Sequence, residues 1–164
     1  MQECLTTQNT IQRKGDCKIM SDKIIENNQV TIMGEIASPF IFSHEVYGEG
    51  FYMVDISVDR LSDSTDIIPV MVSERLLDVN EDYRGMKICI TGQFRSYNRH
   101  EERKNRLVLS VFAREIEFVD EIGESAKTNQ IFLDGYICKS PIYRKTPLGR
   151  EIADLLLAVN RPYG

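Results

Sequence analysis

From Asn28 onward the chain alternates apolar and polar positions in short runs: NQVTIMGEI, FYMVDISVD, DIIPVMVS, MKICITGQFRSY and RLVLSVFAREIEFV. Each run is rich in β-branched and aromatic residues, the composition that fits a pleated surface with one buried face, and each is therefore predicted to be a strand. Turn formers separate them, notably SHEVYGEG at 43–50 and RLSDSTD at 60–66. One stretch breaks the period of two. ERLLDVNEDYRG at 74–85 groups Leu76, Leu77 and Val79 and ends at Gly85, which predicts a short helix closed by a C-terminal glycine. Pro69 has no N–H to give to a ladder, so a bulge or an edge is expected within the third strand. Residues 1–27 are polar and hold no period of 2 or 3.6; they are expected to be a flexible leader, with Met20 as an alternative start.

The predicted order is β-β-β-α-β-β. That is the plan of a five-stranded OB-fold barrel, so the expected class is all-β with one short helix, the complete barrel spanning 28–120. A second pattern overlies the first. Residues 129–161 repeat residues 28–60: Asn28 and Gln29 meet Asn129 and Gln130, Gly34 meets Gly135, Gly48 falls near Gly149, and Arg60 meets Arg161. A one-residue gap brings Pro39 onto Pro141. The reading is a linker over 121–128 and an incomplete second OB domain over 129–164, holding its first two strands, as in a truncated repeat. Two strands alone are marginal, so this piece is expected to be disordered or paired to another surface.

Composition narrows the function. No window approaches the roughly 20 apolar residues of a spanning helix, and the first residues lack the apolar core of a secretory signal, so a cytoplasmic protein with no membrane partner is expected. Cys4, Cys17, Cys89 and Cys138 form no CxxC pair, which points to isolated thiols rather than a zinc or redox motif. With only His44 and His100 available as imidazole ligands, neither metal nor cofactor is expected. Phosphate-cradling loops, HExxH and GxSxG are all missing from the sequence, and an enzymatic role is not expected.

The net charge of −5 runs against the basic footprint of nucleic-acid binders, but its distribution does not. Asp55 to Asp82 holds eight acids against Arg60 and Arg75. Arg95 to Arg106 holds five Lys/Arg against Glu101 and Glu102, and residues 138–150 contain Lys139, Arg144, Lys145 and Arg150 with no acid. Positive charge is concentrated in two short segments.

The repeat also carries a family likeness. Asn129, Ile131, Leu133 and Gly135, then Pro141, Thr146, Pro147 and Gly149, then Leu157, Ala158, Val159, Asn160 and Arg161 form a pattern that resembles the opening of bacterial single-stranded-DNA-binding proteins (SSB). Across 28–119 the likeness continues at Gly85, Gly92-Gln93-Phe94-Arg95, Arg106 and Ile116-Glu117-Phe118. The resemblance implies an OB fold, an oligomer of OB domains (a dimer or tetramer) and sequence-independent binding of single-stranded DNA in replication, recombination or repair. The chain departs from the family in having no Trp, the residue its members commonly use to stack bases, and in lacking the acidic partner-binding tail, so recruitment through such a tail is not expected.

OB domains grip single strands by stacking bases on aromatic faces along a positive groove. The alternation Gln93, Arg95, Tyr97 shares one face of the fourth strand, with Phe94 directed to the core, and leads into the basic loop of Arg99, His100, Arg103, Lys104 and Arg106. The second candidate set is Lys139, Tyr143, Arg144 and Lys145; Tyr47, Phe51 and Tyr52 are further stacking candidates, with a packing role the alternative for Phe51 and Tyr52. The competing reading makes these charges a solvated hairpin tip and the protein an OB-fold interaction subunit of a replication or primosome assembly, with weak or no nucleic-acid binding.

Overall fold

The computed structural model describes residues 27–60, 64–101, 104–122 and 129–160. Their strands are β1 (Asn28–Ile36), β2 (Ile41–Val46), β3 (Glu49–Asp59), β4 (Thr65–Ser73), β5 (Lys87–Glu101), β6 (Lys104–Phe118), β7 (Asn129–Leu133), β8 (Tyr136–Ile137), β9 (Ile142–Lys145), β10 (Glu151–Asp154) and β11 (Leu157–Ala158). The expected leader lies outside the described residues, as does most of the expected linker. Among the described residues no helix is long and apolar enough to cross a membrane.

The inward positions of each strand meet in one core: Val30, Ile32 and Ile36 from β1, Val54, Ile56 and Val58 from β3, Val70 and Val72 from β4, Ile88 and Ile90 from β5, Val111 and Ala113 from β6. All but Ala113 are β-branched positions of the alternating runs, so burial follows the sequence pattern. Five strands close a ring around them. β1 pairs antiparallel with β5, β5 with β6 and β3 with β4; β4 pairs parallel with β6 at Val70↔Val111 and Met71↔Phe112, and β3 returns to β1 at Ser57↔Glu35 and Ile56↔Ile36. This is the closed five-stranded arrangement of an OB fold. A Cβ on Gly34 would lie 2.3 Å from the Ser57 carbonyl oxygen, so the close approach of β1 and β3 that seals the ring requires glycine.

Three expectations are corrected. The helix over 74–85 is absent: the segment runs as successive turns and no helix occurs among the described residues. The Asp78 side chain accepts from the Asn80 N–H at 3.0 Å and the Asp82 side chain from the Arg84 N–H at 3.1 Å, local bonds that compete with a helical ladder. Leu76, Leu77 and Tyr83 still pack against the core, so the apolar residues that suggested a helix face fill the barrel end without one. Gly85 does take a positive φ of 84°, within a turn. Second, the turn expected at 43–50 shrinks to Tyr47–Gly48, both at positive φ, joining β2 to β3 as a two-residue hairpin. β2 is exposed along its whole length, so no buried face marked it as a strand. Third, Cys89 is not an isolated thiol: it is disulfide-bonded, and no partner cysteine lies among the described residues, where Cys138 is free. Pro69 stands opposite Asp55 with no register shift, at the part of β4 that precedes its short pairing with β6, in keeping with the edge alternative.

β7 adds to the β1 edge, antiparallel, from Asn28↔Leu133 to Ile32↔Asn129. The central pair is Val30↔Ile131, and the interval that carries Asn28 onto Asn129 carries Val30 onto Ile131. The two segments therefore pair about a local pseudo-twofold axis, each presenting the equivalent position to the other. Beyond β7 the same interval holds again. Glu35↔Ser57 and Ile36↔Ile56 are matched by Tyr136↔Ala158 and Ile137↔Leu157, and Ile41↔Met53 and Phe42↔Tyr52 by Ile142↔Asp154 and Tyr143↔Ala153.

Candidate nucleic-acid interface

β5 and β6 form a hairpin of 15-residue arms that keeps one register from Gly92↔Ala113 to Glu101↔Lys104. A bulge between Thr91 and Gly92 starts that ladder, and a Cβ on Gly92 would meet the Phe112 carbonyl oxygen at 2.1 Å. Glycine at this bulge lets β6 cross close to β5 and sets the face on which the following residues stand.

Phe94 packs against the core, and Gln93 and Arg95 occupy the other side of β5. The Arg95 guanidinium lies 3.9 Å from the centroid of the Phe112 ring and donates to Gln93 Oε1 at 3.3 Å. A cation–π contact of this kind holds the cation over the aromatic face. Further along, Tyr97 stands opposite Val108, Arg99 opposite Arg106 and His100 opposite Asn105, with Lys104 opposite Glu101. The backbone thus brings Arg95, Tyr97, Arg99, His100, Lys104 and Arg106 onto one hairpin; Arg103 lies outside the described residues.

The second candidate set divides. Tyr143 and Lys145 alternate with Arg144 along β9, so they share the opposite face. Arg144 is engaged: its Nε donates to Asp154 Oδ2 at 2.8 Å and its Nη2 to Oδ1 at 3.3 Å. That hydrogen bond holds the Asp154 carboxyl below its usual range and raises the guanidinium. Lys139, Tyr143 and Lys145 are exposed. Tyr47 stands fully out at its hairpin tip, and Tyr52 packs edge-on to Phe42 at 5.6 Å.

Cross-strand pairing assembles a group that the sequence did not bring together. Phe112 lies 5.8 Å from Phe51, and Phe51 stacks on His44 at 5.2 Å with ring planes 14° apart. Together with Arg95 these form a row across the outer face of β5, β6, β3 and β2. Only the registers reveal it, because the four residues lie in four separate strands. Acidic groups near the β3 end are already committed: Glu49 accepts from the Ser73 hydroxyl and pairs with Arg75 at 3.1 Å, and Glu74 accepts from the Gly50 N–H at 2.9 Å.

No protein-family model and no curated protein sequence matches the chain. Among solved structures, the N-terminal domain of PriB from Thermoanaerobacter tencongensis, whose structure is dimeric, is 43% identical over 58% of this chain and 100% of that one, with a TM-score of 0.49. The chain belongs to the SSB/PriB family. Membership rests on that identity across the whole of the domain. The SSB fold is shown separately by the wild-type single-stranded-DNA-binding protein from Thermus aquaticus, 19% identical over 81% of this chain and 68% of that one, at a TM-score of 0.63. A deletion mutant of that protein gives 20% identity, 81% and 69% coverage and a TM-score of 0.57.

Proposed function

We propose that this SSB/PriB-family chain binds single-stranded DNA without selecting bases, in replication, recombination or repair, using the β5–β6 hairpin as its principal contact. The observation that carries the reading is the hairpin itself. A single unbroken ladder brings the clustered cations and Tyr97 onto one projection whose base is Arg95 seated on Phe112. Cations track phosphates and aromatic faces accept bases, the combination by which OB folds hold single strands. The Thermus aquaticus neighbour is a single-stranded-DNA-binding protein, which supports the same ligand.

The domain reading accompanies it: residues 28–120 form a complete OB domain, and 129–164 hold the opening strands of a second. Support comes from the matched registers of the two copies and from the 81% coverage by the Thermus aquaticus protein, more than the first barrel alone supplies. Self-association into a dimer or tetramer belongs to this proposal, since the PriB domain was solved as a dimer.

Two variants test the hairpin. Tyr97→Ala should weaken oligo-dT binding by about 1–3 kcal/mol with little change in salt dependence. Charge reversal at Arg103 and Lys104 should instead flatten the log-affinity against log-salt line by about 0.7 per lost contact. If both variants fold and bind like the parent protein, the hairpin is a solvated tip, and the interaction-subunit reading replaces this one.

A further inference from the structure

Two hairpins with matching registers carry opposite charge. The interval of the repeat takes β2–β3 onto β9–β10, where Ile41↔Met53 and Phe42↔Tyr52 are matched by Ile142↔Asp154 and Tyr143↔Ala153. Polar positions shift toward positive charge across that interval: Ser43 is replaced by Arg144, His44 by Lys145 and Glu49 by Arg150. The β2–β3 hairpin bears Glu45 and Glu49, with Glu74 bonded at its base and Arg75 as the cation beside them. The segment from Lys139 through β10 bears Lys139, Arg144, Lys145 and Arg150 against Glu151 and Asp154, and Asp154 is taken by Arg144. Glu45, Lys139, Lys145 and Arg150 are exposed and make no ion pair among the described residues. Both hairpins also expose large apolar side chains, Ile41, Phe42, Val46 and Tyr47 on the first, Ile142, Tyr143 and Leu148 on the second. Apolar side chains gathered on a surface in this way mark a protein contact.

We propose that the β9–β10 hairpin of one molecule docks on the β2–β3 hairpin of a second molecule of this protein. The inference deepens the self-association reading and rests on it. The occupant follows from charge and surface together. Carboxylates on β2–β3 repel a phosphate backbone, whereas its exposed apolar side chains need a surface to cover them, so the partner it fits is both cationic and apolar. The chain itself carries such a surface on β9–β10. Opposite charge steers the two hairpins together, and the apolar side chains are buried as they meet. Two different patches face each other, so the contact is heterologous. The register of β2 shifts between Phe42 and His44, an irregularity that disfavours a plain backbone ladder along this edge. Side-chain faces therefore carry the contact, with Glu45 of one molecule and Lys145 of the other as the charges it brings together.

The experiment is sedimentation equilibrium of the full chain without DNA, at low and high salt, on the parent, Glu45→Lys and Lys145→Glu. Both side chains are exposed, and each variant is read once its melting curve matches the parent. The parent should self-associate more weakly as salt rises. Each single reversal should lower the association constant about tenfold, because the contact then sets like charges together. An equimolar mixture of the two variants should recover it, since contacts between unlike variants join opposite charges again. If the parent self-associates while both reversals match it, or the mixture fails to recover, the hairpin contact is overturned and self-association through another surface stands. Lys145→Glu that weakens oligo-dT binding but leaves association unchanged also overturns it, the basic hairpin then serving the DNA. A parent that stays monomeric at every concentration overturns both readings.

Discussion

Residues 28–59 and 129–158 form the same hairpin ladder in opposite surroundings. Ile36↔Ile56 seals the first barrel, where Ile56 is 0% exposed; its counterpart Ile137↔Leu157 holds two short strands, and Ile137 is 57% exposed. Even single bonds repeat: the Ala37 N–H donates to Asp55 O at 2.8 Å, and the Cys138 N–H to Leu156 O at 2.9 Å. Gly48 and Gly149 share a φ near 80°. Local sequence therefore sets register and turn geometry in both segments. Burial comes from elsewhere, because among the described residues only the first segment is closed by β4, β5 and β6. A ladder alone does not make a core.

The comparison is tested most severely by paired truncations. Ile56→Ala should destabilise the chain by about 4 kcal/mol in denaturant unfolding, whereas Leu157→Ala should change the main transition by less than about 1 kcal/mol. Equal losses would mean that the second copy is part of the same cooperative core.

A smaller contrast comes from the glycines. An added Cβ meets a carbonyl oxygen at 2.3 Å in both places, Ser57 for Gly34 and Ala158 for Gly135. Gly34→Ala should lower stability by about 1–3 kcal/mol, because the barrel seam must open. Gly135→Ala should leave the melting temperature unchanged and show only as faster amide exchange around β8 and β11.

The smallest effect is electrostatic: Arg144–Asp154 joins β9 to β10 at positions matching the uncharged Ser43 and Met53. Asp154 is depressed by its hydrogen bond to Arg144, so the pair's contribution is fully present above the ordinary carboxylate value, about 3.9, and is lost as pH falls through the lowered folded value. Amide signals of β9 and β10 should loosen on that acid limb, and Asp154→Asn should be loose already at neutral pH. Asp82, lowered to about 2 chiefly by its hydrogen bond to Arg84, gives a parallel local titration in the 74–85 turns. Loss of the whole barrel over the same interval in the parent, but not in Asp154→Asn, would contradict a local role.

The barrel was legible where burial imposes a period of two, in β1, β3, β4, β5 and β6. It was illegible where burial does not reach. β2 is wholly exposed and reads as turn, while the aspartates of 74–85 turn a helix-like grouping of Leu76 and Leu77 into a packed loop. In the 129–158 segment Gly135 answers the same steric demand as Gly34, and that likeness was legible in the sequence. The segment's docking was not: pairing of β7 to β1 is a long-range choice of edge, and nothing local in Asn129–Leu133 encodes the partner. At the candidate interface, the clustered cations and the Arg95/Phe94 alternation are features of the sequence itself. His44, Phe51 and Phe112 became neighbours only once three registers were known.

The central claim is recognition of single strands without base selection, and fluorescence polarisation with labelled oligo-dT at two salt concentrations, beside a duplex of equal length, tests it most directly. The account predicts binding to oligo-dT that weakens steeply with salt, as phosphate contacts require, and weaker binding to the duplex, since no described element offers a recognition helix for the major groove. Duplex affinity equal to or tighter than that for oligo-dT, or no binding to oligo-dT at low salt, would contradict it.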